Sequence, residues 1–128
     1  MDELYSYIDT KLMKLNFIHP SEGGSIVRRN EIIIEKKEFP DKEPMIIVKS
    51  YDKLVQNDTE NIILDIEFRS EFVDKNNIVN VDTIDEETKD YLRRPALSES
   101  SLLIGLITSK AFEVPAIFPP IVMSEFDE

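Results

Sequence analysis

The sequence has no cysteine, no tryptophan, three glycines and a single histidine among its 128 residues. Without cysteine there can be no disulfide framework and no thiolate nucleophile or ligand, a composition that suits a reducing compartment. With His19 the sole histidine, set in a loop beside Pro20, Ser98, Ser100 and Ser101 lack an evident general base. His19 reads as a solvent-facing or loop-bracing residue. Gly23-Gly24 and the isolated Gly105 are too few for a phosphate-cradling loop, and G-x-S-x-G, H-E-x-x-H and EF-hand spacings are all missing. No apolar run approaches the roughly 20 residues of a membrane span. The opening MDELYSYIDT carries neither the basic region nor the apolar core of a signal peptide. The expectation is a cytoplasmic protein, with no membrane insertion.

Positive charge is also in short supply. The formal net charge is −11, which excludes nucleic-acid backbones and anionic membranes as natural partners and points to solubility or a basic protein partner. The densest acidic groups, Asp82/Asp85/Glu86/Glu87 and Glu125/Asp127/Glu128, read as a solvated helix cap and a chain end rather than convergent ligands. No metal site, no cofactor and no catalytic residue is expected, and the protein reads as a non-enzyme.

What is present is periodicity. The length fits one domain, residues 1–128, with 41% hydrophobic residues to fill a core. After a weak helical or extended lead-in over 1–10, KLMKLNFI (11–18) alternates, with Met13, Leu15 and Phe17 on one face and Lys14 and Asn16 on the other. RNEIIIEKKEF (29–39) and MIIVKSYDKLV (45–55) read as two further strands joined by the turn-like link 40–44, which favours an antiparallel hairpin. The cleanest pattern lies in 61–73. Ile62, Leu64, Ile66, Phe68 and Phe72 share one face and Asp65, Glu67, Arg69 and Glu71 the other, as a side-chain period of two requires. Four strands with short links predict an antiparallel sheet.

Beyond a loop at 74–80, Asp85-Glu86-Glu87 with Tyr91 and Leu92 predicts a short, acid-capped helical turn ended by Arg93-Arg94. Pro95 then suits the start of a second, long helix, with capping oxygens from Ser98 or Ser100. Leu102, Leu103, Ile104, Leu106 and Ile107 cover nearly its full circumference, so it should be buried on more than one side. Ser101, Gly105 and Thr108 are spaced as a small-residue stripe for close approach by a partner subunit. An ordinary core helix is the alternative, but one small domain offers little surface to bury both sides. The tail (112–128) is apolar and broken by Pro115, Pro119 and Pro120, which favours an extended path that covers its own core, walls a binding site, or does both.

Taken in order, the chain resembles the SecB-like family. KLMKLNFIHP is similar to that family's opening strand. IILDIEFRSEFV followed by IDEETKDYL resembles its fourth strand and the acidic stretch before the helix. LIGLITSKAFEVPAIFPPIVMSEF resembles the helix end and proline-rich tail. The Ile/Lys/Asn/Glu-rich composition is similar to that of short SecB-like proteins of low-GC bacteria. The resemblance implies an α+β fold: a four-stranded antiparallel Greek-key sheet, a long C-terminal helix packed on one face, and a Pro-rich extended tail. It implies a cytosolic holdase, a chaperone that binds non-native or client polypeptide in an apolar groove without nucleotide or cofactor. The groove wall would match Ile117, Phe118, Ile121 and Met123. An acidic sheet face, matched by Asp65 and Glu67, would meet a basic partner such as the SecA ATPase, and the protein would be a homo-oligomer, dimer or tetramer. The alternative is an acidic interaction module, an inhibitor or an immunity- or antitoxin-type protein of a mobile element, on the same scaffold.

Overall fold

The computed structural model describes residues 5–18, 26–56, 61–77 and 79–111. Strands β1 (Tyr5–Phe17), β2 (Ile26–Phe39), β3 (Lys42–Gln56) and β4 (Ile62–Asp74) precede one helix, α1 (Glu86–Ala111). The sheet order is β1-β4-β3-β2 with every neighbour antiparallel. Three hairpin-connected strands thus lie beside a first strand whose successor sits at the opposite edge, which is a Greek key. The expected fold class, an antiparallel Greek-key sheet with one long C-terminal helix, is the one observed, and the Pro-rich tail lies outside the described residues.

The strand interiors follow the alternation closely, and the departures have physical causes. The lead-in is not separate: Tyr5 onward is already β1, paired with β4 up to Tyr5↔Asp74. Register shifts between Tyr7 and Asp9 and between Leu12 and Lys14 leave Ile8 and Met13 without opposite partners. Such bulges break the period of two, so Leu12 rather than Met13 shares the face of Leu15 and Phe17. A shift between Leu54 and Val55 does the same for β4. Ile62 is consequently 42% exposed, while Ile63 joins Leu64, Ile66, Phe68 and Phe72 in the core. The hairpin between β2 and β3 is tighter than the link at 40–44. Phe39 pairs with Lys42 around Pro40-Asp41, and the Lys42 ammonium lies 4.6 Å from the Phe39 ring centre.

The helix also departs from expectation. It is continuous from Glu86, with Pro95 in its interior. Asp85 is the N-cap, its carboxylate accepting the Thr88 N–H at 2.8 Å. Glu86 and Glu87 occupy the positive end of the dipole and Lys110 the negative end. Pro95 removes only the bond its N–H would give Tyr91, which tertiary packing tolerates here.

The helix lies over β3 and β4 and barely reaches β1. Beneath it are two apolar clusters. One joins Leu54, Ile63, Leu64, Ile66 and Phe68 to Ala96 and Ile104; the other joins Ile46, Val48 and Phe72 to Val79 and Leu92. Each such fully buried aliphatic or aromatic side chain contributes roughly 1.5–3 kcal/mol. Between the clusters runs a polar seam. Thr10 and Ser70 hydroxyls share a hydrogen bond at 2.8 Å, the Asn30 amide donates to Ser50 at 3.1 Å, and Arg28 pairs with Asp52.

Candidate functional site

Three regions of the described surface expose apolar side chains: the β1 edge, a groove of mixed lining at the β2 edge, and the outer face of the sheet at Val27, Ile33 and Ile62. The first is an edge. Tyr7, Leu12, Met13, Leu15 and Ile18 on and just after β1 are all 46–58% exposed, and on the helix Leu102 is 69% and Leu106 58% exposed. Among the described residues strand β1 has a neighbour on one side alone, so its outer backbone groups lie beside these side chains.

The second is a groove at the opposite edge. Strand β2 is the other end of the sheet, none of its residues is fully buried, and the helix stops short of it. Ile32 and Ile34 of β2 face Val81 and Ile84 of the connection between β4 and α1, and Asn30, Glu31, Lys89 and Arg93 make the rest of the lining polar. The space between them is about 360 Å³, within the usual range of ligand clefts. Arg93 is bound to Asp90 one turn back.

The wall of this groove is braced rather than loose. Asp74, wholly buried at the end of β4, accepts the Val79 N–H at 2.8 Å and pairs with the Lys36 ammonium at 3.2 Å. Lys36 also donates to the Val79 carbonyl at 2.8 Å. One lysine of β2 thereby ties the connecting segment to the edge strand. The turn that makes this possible puts Asn77 at φ 51°, a left-handed conformation that asparagine tolerates.

The outer face of the sheet carries Asp65 and Glu67, both half-buried, as its period of two requires. It is not uniformly acidic. Lys14 of β1 donates to Asp65 at 3.0 Å. That bond, then the charges of Asp65 and Glu67, holds the Lys14 ammonium above its ordinary range. Lys49, Arg69 and Lys11 line up across three strands. Lys49 meets Glu35 at 2.7 Å, which raises the lysine and lowers the carboxylate. An acidic chain overall thus presents a mixed-charge sheet face.

The structure places the three residues of the helix stripe differently from one another. Ser101 and Thr108 turn into the protein's own sheet, Ser101 accepting from Arg28 at 2.9 Å and Thr108 donating to the Ile104 carbonyl at 2.7 Å. Gly105 alone of the three borders open space, with nothing within 4 Å of where a Cβ would stand. Ile117, Phe118, Ile121 and Met123 lie outside the described residues. Among the described residues no three acidic or histidine side chains converge as a metal site, and no helix is long and apolar enough to cross a membrane.

The braces Lys36–Asp74 and Arg28–Asp52 escaped the reading of the sequence. Their signal is a charged residue at an inward position of each strand: Arg28 and Lys36 share β2's face with Ile32 and Ile34, and Asp52 shares β3's face with Ile46 and Leu54.

A Greek-key sheet of four strands carrying one long helix defines the SecB-like α+β fold. Among solved structures the chain is similar to a SecB-like chaperone of Mycobacterium tuberculosis in complex with a ChAD peptide from the HigA1 antitoxin. The TM-score is 0.63 at 14% identity, over 94% of this chain and 89% of that one. At that identity the likeness is one of fold. No protein-family model matches the sequence. No curated relative matches it either.

Proposed function

We propose that this protein is a SecB-like holdase of the cytosol, which keeps a non-native or client polypeptide from aggregating by binding it without catalysis. The observation that carries the reading is the groove at the β2 edge: a strand edge unshared among the described residues, beside Ile32, Ile34, Val81 and Ile84. An extended segment can add to such an edge through its main chain and place alternate side chains against the cleft's isoleucines and valine, between its polar and charged groups. Main-chain pairing and apolar burial carry no sequence code, which is what a holder of unfolded chains needs. The fold neighbour supports the reading, since that SecB-like chaperone is in complex with a peptide. Because the peptide comes from an antitoxin, a dedicated client is a natural form of the same activity.

The apolar surface at the β1 edge suits another copy of the chain. Strand β1 and the exposed Leu102 and Leu106 are more apolar surface than a lone protomer of this size needs to expose. A basic partner on the outer face would meet Glu67 more readily than Asp65, which Lys14 already holds.

The test is suppression of aggregation. An unfolded test protein diluted into buffer should stay soluble at a stoichiometric ratio of this protein, without ATP. Unchanged light scattering at that ratio would leave the interaction-module reading in place of the chaperone.

A further inference from the structure

The C-terminal half of the helix buries less of its apolar surface than its sequence allows: Leu103 and Ile107 pack only partly against the core, and Leu102 and Leu106 are exposed. Its most apolar stretch is Leu102, Leu103, Ile104, Leu106 and Ile107. With about 100° between successive residues, that group is centred near Leu103, about 100° round the helix from Ile104. In the first half Leu92 and Ala96, on Leu103's side of the helix, are buried; from Leu97 on the buried direction is that of Ser100, Ser101, Ile104 and Thr108, each at 7% exposure or less. Three hydroxyl side chains are inside while Leu102 and Leu106 are 69% and 58% exposed.

The residues beneath explain the rotation. The Arg28 guanidinium, 6% exposed, donates from Nε and Nη2 to the two oxygens of Asp52 at 2.8 Å each, and from Nη1 to Ser101 Oγ at 2.9 Å. Ser100 donates its hydroxyl to Asp52. A buried ion pair demands further hydrogen bonds, and leaving it under an aliphatic face would be costly. The two adjacent serines supply those bonds only in the observed rotation.

We propose that the Arg28–Asp52–Ser100–Ser101 cluster is a rotational lock that holds α1 with Leu102 and Leu106 outward, keeping an apolar surface available that the helix would otherwise bury against its own sheet. The lock concerns helix rotation and stands whether or not the protein holds clients.

The absence of native cysteine makes single cysteines clean probes of rotation. Thr108→Cys and Leu106→Cys are each placed in the natural chain and in a variant with Arg28→Met, Asp52→Leu, Ser100→Ala and Ser101→Ala, and thiol labelling rates are compared. In the natural background Thr108→Cys is protected. With the cluster replaced, it should label about ten-fold faster and Leu106→Cys about ten-fold slower, as the roll exchanges their environments. Circular dichroism checks that the variant is folded. If it is not, Ser100→Ala with Ser101→Ala alone should shift both rates in the same directions. A folded variant in which Thr108→Cys stays as protected as before overturns the lock. Because a second copy could shield Leu106 in the natural background, the rate at Thr108 decides.

Discussion

Arg28, on the edge strand β2, grips both carboxylate oxygens of Asp52 on the adjacent central strand, at 2.8 Å each, in a layer where Asp52 is 1% exposed. Removing one partner strands a buried charge, whereas removing both lets apolar side chains fill the gap. Arg28→Met alone should therefore cost about 3–5 kcal/mol. Arg28→Met with Asp52→Leu should cost less than that single change. Urea unfolding of the two variants checks it, and a double variant weaker than the single would show that the pair itself stabilises the fold.

The helix start carries a pH signature. The carboxylate of Asp85 is held below its ordinary value of 3.8, first by the Thr88 side chain and then by the Thr88 N–H. A depressed folded value contributes stability that is fully present above the unfolded value and lost as pH falls through the folded one. Asp85→Ala should thus lower the melting temperature at neutral pH. The gap to the natural protein should close as pH drops below 3.8. A gap that persists unchanged at pH 2 would show that the cap acts through something other than its charge.

Gly105 is the helix's one glycine and has open space where a Cβ would stand. Gly105→Ala should stabilise the protein by about 1 kcal/mol through helix propensity alone. Destabilisation in a denaturant titration would mean that a second copy already occupies that space.

Leu102→Lys with Leu106→Lys should leave the protomer within about 0.5 kcal/mol of its natural stability, because both side chains are mostly exposed. The same variant should lose self-association in sedimentation velocity. Sedimentation identical to the natural protein would remove these leucines from any subunit interface.

Much of the architecture was legible because alternation is enforced by burial on one face. Ile66, Phe68 and Phe72 point inward beneath α1 as their spacing requires. The errors fall where one extra residue interrupts the count. The shift at Leu54/Val55 turns Ile62 outward, and the shift at Leu12/Lys14 removes Met13 from the inner face. Pro95 misled for a different reason. Proline suits a helix start by local geometry, but packing of Leu92, Ala96 and Leu97 carries α1 straight through it. The facing of Ser101 and Thr108 was hidden because helix hydrophobicity gives no hint of a charged pair waiting on the strands opposite. The groove at β2 was hidden for a similar reason: Val81 and Ile84 meet Ile32 and Ile34 only through the fold.

The most direct test of the holding reading is amide hydrogen exchange along β2 with and without an unfolded polypeptide bound. Strand addition at that edge predicts that outward-facing amides between residues 30 and 36 slow about ten-fold when the polypeptide binds, while β3 is unchanged. A polypeptide held in solution with β2 exchange unaltered would contradict the groove as the binding site.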